Sequence, residues 1–117
     1  ARHLDAYVRA VAANRMRRCG AEPHCAVRLA SWLSHAPYGL VDAVVMCESG
    51  YNPSAANPSS SAGGLGQWLD SSWSSHAPLY GMGGRSRFET WPAAWVTSSV
   101  IADGGISNWN ASASCWS

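Results

Sequence analysis

Lysine is absent from this 117-residue chain, and charged residues of all kinds make up only 13% of it, about half the usual share of a globular protein. With a formal net charge of +1 it lacks the strongly basic face of a nucleic-acid binder, so no nucleic-acid partner is expected. All eight basic side chains are arginines. Six of them, Arg2, Arg9, Arg15, Arg17, Arg18 and Arg28, fall in the first quarter of the chain, where they read as a solvated helix face. No apolar run approaches the roughly 20 residues that span a bilayer. The opening "ARHLDAYVRA" has no signal-peptide centre, so a mature or excised form is expected. Neither C-x-x-C nor H-x-x-x-H occurs, and no metal or cofactor is expected. Strand alternation is weak everywhere, which leaves at most a short hairpin between Tyr51 and Trp68.

What is present points to one helical domain spanning 1–117, long enough for a core that buries roughly two thirds of its unfolded surface. The four cysteines suit two disulfides better than a metal. Of three possible connectivities, the favoured one joins Cys19 to Cys25 across the turn-rich "GAEPH" and Cys47 to Cys115 across most of the domain. In the loop-entropy account the long link contributes about 4 kcal/mol and the short one about 2 kcal/mol. Both imply an oxidising setting: a secreted or cell-wall protein, or a virion component.

Leu4, Tyr7, Val8, Val11 and Ala12 make a helical stripe in a first helix running to about Met16. A second helix opens at Pro23, buries Val27, Leu29, Trp32 and Leu33, and stops before Pro37. These two form a helical pair over residues 1–36, packed on a core of 37–117. A third and most apolar helix runs from about Tyr38 to Ser49 and ends at Gly50. From Asn52 to Gly64 the composition shifts to Asn, Pro, Ser, Ala and Gly, giving a loop. Asp70, Ser71 or Ser72 is placed to cap a short helix around Trp73. A last helix starts near Thr90 and stops at Gly104 or Gly105, with Trp95 and Trp109 assigned to the core.

Glu48 stands out because it occupies the last turn of that apolar third helix, where the helix dipole favours cations. Lost solvation and the carbonyl end of the dipole both favour a protonated carboxyl there, as a general acid needs, although a solvated helix end would also hold a glutamate. The sequence that follows, "ESGYNPSAANPSSSAGGLGQW" from Glu48 to Trp68, resembles the lysozyme-like soluble lytic transglycosylases that cleave peptidoglycan. They share a catalytic Glu-Ser, a loop with Asn-Pro, and Gly-Leu-x-Gln, here Glu48-Ser49, Asn52-Pro53 and Gly64 to Gln67. The chain also resembles the catalytic domain of resuscitation-promoting factors. That likeness runs over Cys47-Glu48-Ser49-Gly50, "GGLGQW", Ser72-Trp73, Gly105-Ile106, Trp109 and Cys115. In that family the cysteine before the glutamate pairs with the late one, which implies Cys47–Cys115. Departures are Gly66 where the transglycosylases usually have Met, "PAAWVTSS" in place of their later Ala-Tyr-Asn, and Leu69 where the resuscitation factors commonly have Thr.

The resemblance implies a lysozyme-like helical fold and a monomer acting on peptidoglycan glycan strands, with Glu48 as acid and then base. Gly63, Gly64 and Gly66 would let backbone approach a sugar. Ser49 and Gln67 would hydrogen-bond the carboxyl, acetamido or hydroxyl groups. Tyr51, Trp68, Trp73 and Tyr80 are candidate sugar contacts, each equally suited to core packing. Most glycosidases need a second carboxylate. Asp42, six residues before Glu48, lies about 9 Å down the axis and some 120° around the same helix, and Asp70, Glu89 and Asp103 sit at helix ends. No second acid stands out, which agrees with a lytic transglycosylase that uses the substrate's N-acetyl group and leaves a 1,6-anhydro product. The alternatives are a lysozyme-type hydrolase of the same MurNAc-GlcNAc bond, and an inactive cell-wall-binding or virion module. The absence of Lys beside retained Arg suggests a GC-rich genome, actinobacterial or phage.

Overall fold

The computed structural model describes residues 2–117, with side chains from residue 6 onward. Among them the chain forms six α-helices: α1 Arg2–Cys19, α2 Pro23–Ser34, α3 Tyr38–Ser49, α4 Asp70–His76, α5 Thr90–Ala102 and α6 Ala113–Trp116. Two 3-10 segments, Ala77–Tyr80 and Gly105–Ser112, complete it. Both disulfides form, Cys19–Cys25 and Cys47–Cys115. In place of a hairpin there are two isolated antiparallel bridges, Ala56 with Gly63 and Gly63 with Trp68. A run with two Asn-Pro pairs and no alternating apolar residues gives a strand ladder nothing to bury.

Local chemistry sets the helix ends. Glu22 caps α2 by accepting from the Cys25 amide at 2.5 Å, and Pro23 fills the first position, where no amide is needed. His35 ends α2 in a left-handed conformation (φ 63°), two residues before Pro37. α1 runs to Cys19, three residues beyond the expected Met16, because nothing there stops it and Arg17 and Arg18 suit its carbonyl end. α4 begins one residue after Leu69, without a side-chain cap; Asp70 instead pairs with Arg87 at 3.1 Å. The segment after Gly104, read only as carrying a core Trp109, is helical almost to the end of the chain.

At the centre lies α5, in which every residue from Trp91 to Ile101 is buried. α2 is its principal partner and contributes Ala26, Val27, Ala30 and Ser31, all essentially inaccessible. Small side chains let helix axes approach closely and leave no room for a large ring between them. Accordingly Trp32, expected in the core, stands 63% exposed with the Arg15 guanidinium over its ring. On α1, Ala12 is buried and Tyr7 is exposed, while the Leu4 side chain lies outside the described residues.

Tryptophan does much of the tying that strands would do elsewhere. Four of the seven indole N–H groups bond across the fold, Trp68 to Thr97 Oγ1, Trp73 to Arg85 O, Trp95 to Tyr80 O and Trp109 to Gly66 O, and Trp116 bonds locally to Trp109 O. Each ring fills apolar volume while its one donor fixes a backbone carbonyl or a hydroxyl.

Candidate active site around Glu48

α3 buries Val41, Val44 and Val45 completely. Glu48 follows them at offsets of seven, four and three residues, so it continues the same inward stripe. It occupies the place of the next core residue and is half-buried there. Gly50 then ends the helix in the left-handed region (φ 59°), its N–H bonded to Met46 O. Beside Glu48, Cys47 is bridged to Cys115, which ties the chain's tail to this helix end.

Tyr51 continues the reversal with a second left-handed residue (φ 63°), a conformation that disfavours a bulky side chain. Three contacts hold it. The ring is 5% exposed, its hydroxyl donates to Asp42 Oδ1 at 2.5 Å, and His24 from α2 stacks on it. Burial, and then the Asp42 carboxylate, push the Tyr51 phenol well above its ordinary range. Asp42 also accepts from Tyr38, so the acid nearest in sequence to Glu48 is occupied by two phenols.

The acids as a set divide unequally. Six have described side chains, and five of these are engaged: Glu22 by Cys25 N and His24, Asp42 by Tyr51, Asp70 by Arg87, Glu89 by Arg85, and Asp103 by Tyr80. Glu48 alone has no hydrogen-bond or ion-pair partner among the described residues. A half-buried carboxyl without a partner is available to a ligand.

The remaining candidates are dispersed. Ser49 spends its hydroxyl proton on Val45 O, so it offers only an acceptor. Gln67, itself left-handed (φ 51°), donates through Nε2 to Ala55 O and Gly64 O, which leaves its carbonyl oxygen. Trp68 and Trp73 meet edge-to-face at 5.9 Å within the core, 4% and 6% exposed, and neither ring offers an open face for a pyranose. Tyr80 is bonded to Asp103 and borders a groove with Leu33 and His35 at the far end of α2 from His24. The structure does not bring it to Tyr51.

The glycines are required by the protein itself. A side chain at Gly63 would strike the Phe88 ring, one at Gly64 the Arg87 carbonyl, and one at Gly66 would lie 2.6 Å from Thr97 Oγ1. Their close approach is to the body of the domain, where Leu65 is wholly buried. Sequence reading missed Asp42 and His24 as supports of Tyr51, because a nine-residue spacing and a contact between helices leave no periodic signal. No described cluster of three His, Cys, Asp or Glu side chains is arranged to hold a metal. No protein-family model, curated protein or solved structure matches this chain.

Proposed function

We propose that this protein is a lytic transglycosylase of bacterial peptidoglycan, with a lysozyme-like fold and Glu48 as its general acid and base. The observation that carries the reading is the position of Glu48: it terminates a buried apolar stripe and, among six described acids, is the one without a partner. The ordered likeness from Cys47-Glu48-Ser49-Gly50 to Gly64-Leu65-Gly66-Gln67 supplies the substrate class. Glu48 gives its proton to the glycosidic oxygen as the bond to MurNAc C1 breaks, and the substrate's N-acetyl oxygen closes on C1. The carboxylate then takes the proton of the C6 hydroxyl, which displaces that oxygen and forms the 1,6-anhydro ring. No second protein carboxylate is required, in keeping with the engagement of the other described acids. The two disulfides fit an extracellular setting, such as a secreted, wall-associated or virion protein. The burial of Trp68 and Trp73 favours, as a second reading, an inactive wall-binding or virion module.

Mass spectrometry of material released from purified peptidoglycan decides between them. Disaccharide-peptides one water lighter than hydrolysis products, absent with Glu48→Gln, support the transglycosylase. Ordinary reducing ends mean a hydrolase, and no release from several wall types leaves the structural module.

A further inference from the structure

Beside the α1–α2 connection lies an open groove of about 540 Å³, a size that suits a small ligand or short peptide. Its charge is one-sided. Arg15, Arg18 and Arg28 line it, and none of them forms an ion pair among the described residues. The two arginines of the later chain behave differently: Arg85 is paired with Glu89 and Arg87 with Asp70. The one acid on the wall, Glu22, is bonded to the Cys25 amide and to His24 and forms no ion pair with any of the three, so positive charge is in excess by two. In a chain with so few charges, three guanidinium groups without an acid partner among the described residues, around one concavity, mark an anion site.

Apart from His24, the rest of the wall is apolar. Leu29, the Cys19–Cys25 bridge and the exposed Trp32 ring form it, and the Arg15 guanidinium lies 5.1 Å from the Trp32 centroid. A guanidinium stacked in this way keeps its N–H edge free to bind a carboxylate in bidentate fashion. Carboxylates spaced along a partly apolar chain match this lining better than a bare phosphate. His24 also borders the groove, and it is the residue that stacks on Tyr51, three positions beyond Glu48. His24 is thus the side chain shared between the groove wall and the turn that follows Glu48.

We propose that this groove binds a short acidic peptide: the carboxylate-bearing stem peptide that branches from a peptidoglycan strand held at Glu48. The source of the peptide rests on the reading of Glu48 as a wall-cleaving acid; the binding chemistry does not. The probe is a synthetic tetrapeptide with free side-chain and C-terminal carboxylates, titrated into the whole protein while the Trp32 indole NMR signal is followed, assigned through Trp32→Phe. A saturable shift is expected, weakened at least about tenfold by amidating the peptide, by Arg15→Glu or by Arg28→Gln, and weakened further by salt. Amidation needs no variant, so the test survives if Arg15→Glu disturbs folding. No shift, equal affinity for free and amidated peptide, or a response only to a glycerol-phosphate polymer overturns the proposal. Peptide binding without release from intact walls would keep the groove and remove the catalytic reading. Anhydro products without peptide binding would do the reverse.

Discussion

The ring of His24 lies on the ring of Tyr51, centroids 3.8 Å apart and planes 11° from parallel, so that α2 holds the residue at which the chain turns away from α3. Tyr51 in turn returns its hydroxyl to Asp42 of α3. The turn after Glu48 is thus fixed from both flanking helices.

Removing that hydroxyl should be costly. Tyr51→Phe keeps the ring but leaves a half-buried carboxylate short of a donor, and should lower stability by about 1.5–3 kcal/mol in denaturant melts at neutral pH. The pH dependence has a definite sign. Tyr51 and Tyr80 hold their protons more tightly when folded, Tyr80 pushed up to about 12 first by burial and then by Asp103. Their contribution is complete below the ordinary tyrosine range near pH 10 and is lost as pH rises through the folded values. Melting temperature should fall above about pH 10, and less steeply in Tyr51→Phe and Tyr80→Phe than in the parent.

For Glu48→Gln, stability and activity should separate. With no partner to lose among the described residues, the variant should unfold within about 0.5 kcal/mol of the parent, while release of anhydro products disappears. A large loss of stability would mean that Glu48 is a structural residue.

Two glycines should respond very differently to alanine. Gly50 has open space around the position of a side chain and a left-handed backbone, so Gly50→Ala should cost about 1 kcal/mol. Gly64 is also left-handed, and its side chain would meet the Arg87 carbonyl, which cannot rotate aside. Gly64→Ala should cost at least about 3 kcal/mol, measured by chemical unfolding.

Trp68→Phe tests whether this ring serves the core or the sugar. The indole donates to the buried Thr97 hydroxyl at 3.0 Å, so its loss leaves a smaller ring and an unsatisfied group, costing about 2–4 kcal/mol. At a temperature where the variant is folded, KM for soluble glycan should stay within about twofold of the parent, a difference of under 0.5 kcal/mol. A large rise in KM would make Trp68 a sugar contact.

Much of the frame was legible because its signals are local. Pro23, Pro37 and Gly50 mark helix ends by what their backbones forbid or allow, and the stripe of Val41, Val44 and Val45 announces a buried face. The unread parts depend on partners distant in sequence. Nothing near Trp32 says that Ala26, Val27 and Ala30 will take the contact with α5 and leave the larger ring outside. Likewise Gly63, Gly64 and Gly66 carry the same letters whether a sugar or Phe88, Arg87 and Thr97 come close. The order of the motif around Glu48 was visible in the sequence; the burial of Trp68 and Trp73 was settled only by packing.

Because α5 is covered on all sides, it has no face to show to water, and α2 provides much of that cover. A chain lacking the first 36 residues would expose a helix in which eight of thirteen residues are Trp, Ala, Val or Ile and none is charged. The stretch from Glu48 to Trp68 is therefore not a portable cassette. A chain without the amino-terminal pair would stay in solution only with polar residues placed on the α5 face that α2 covers.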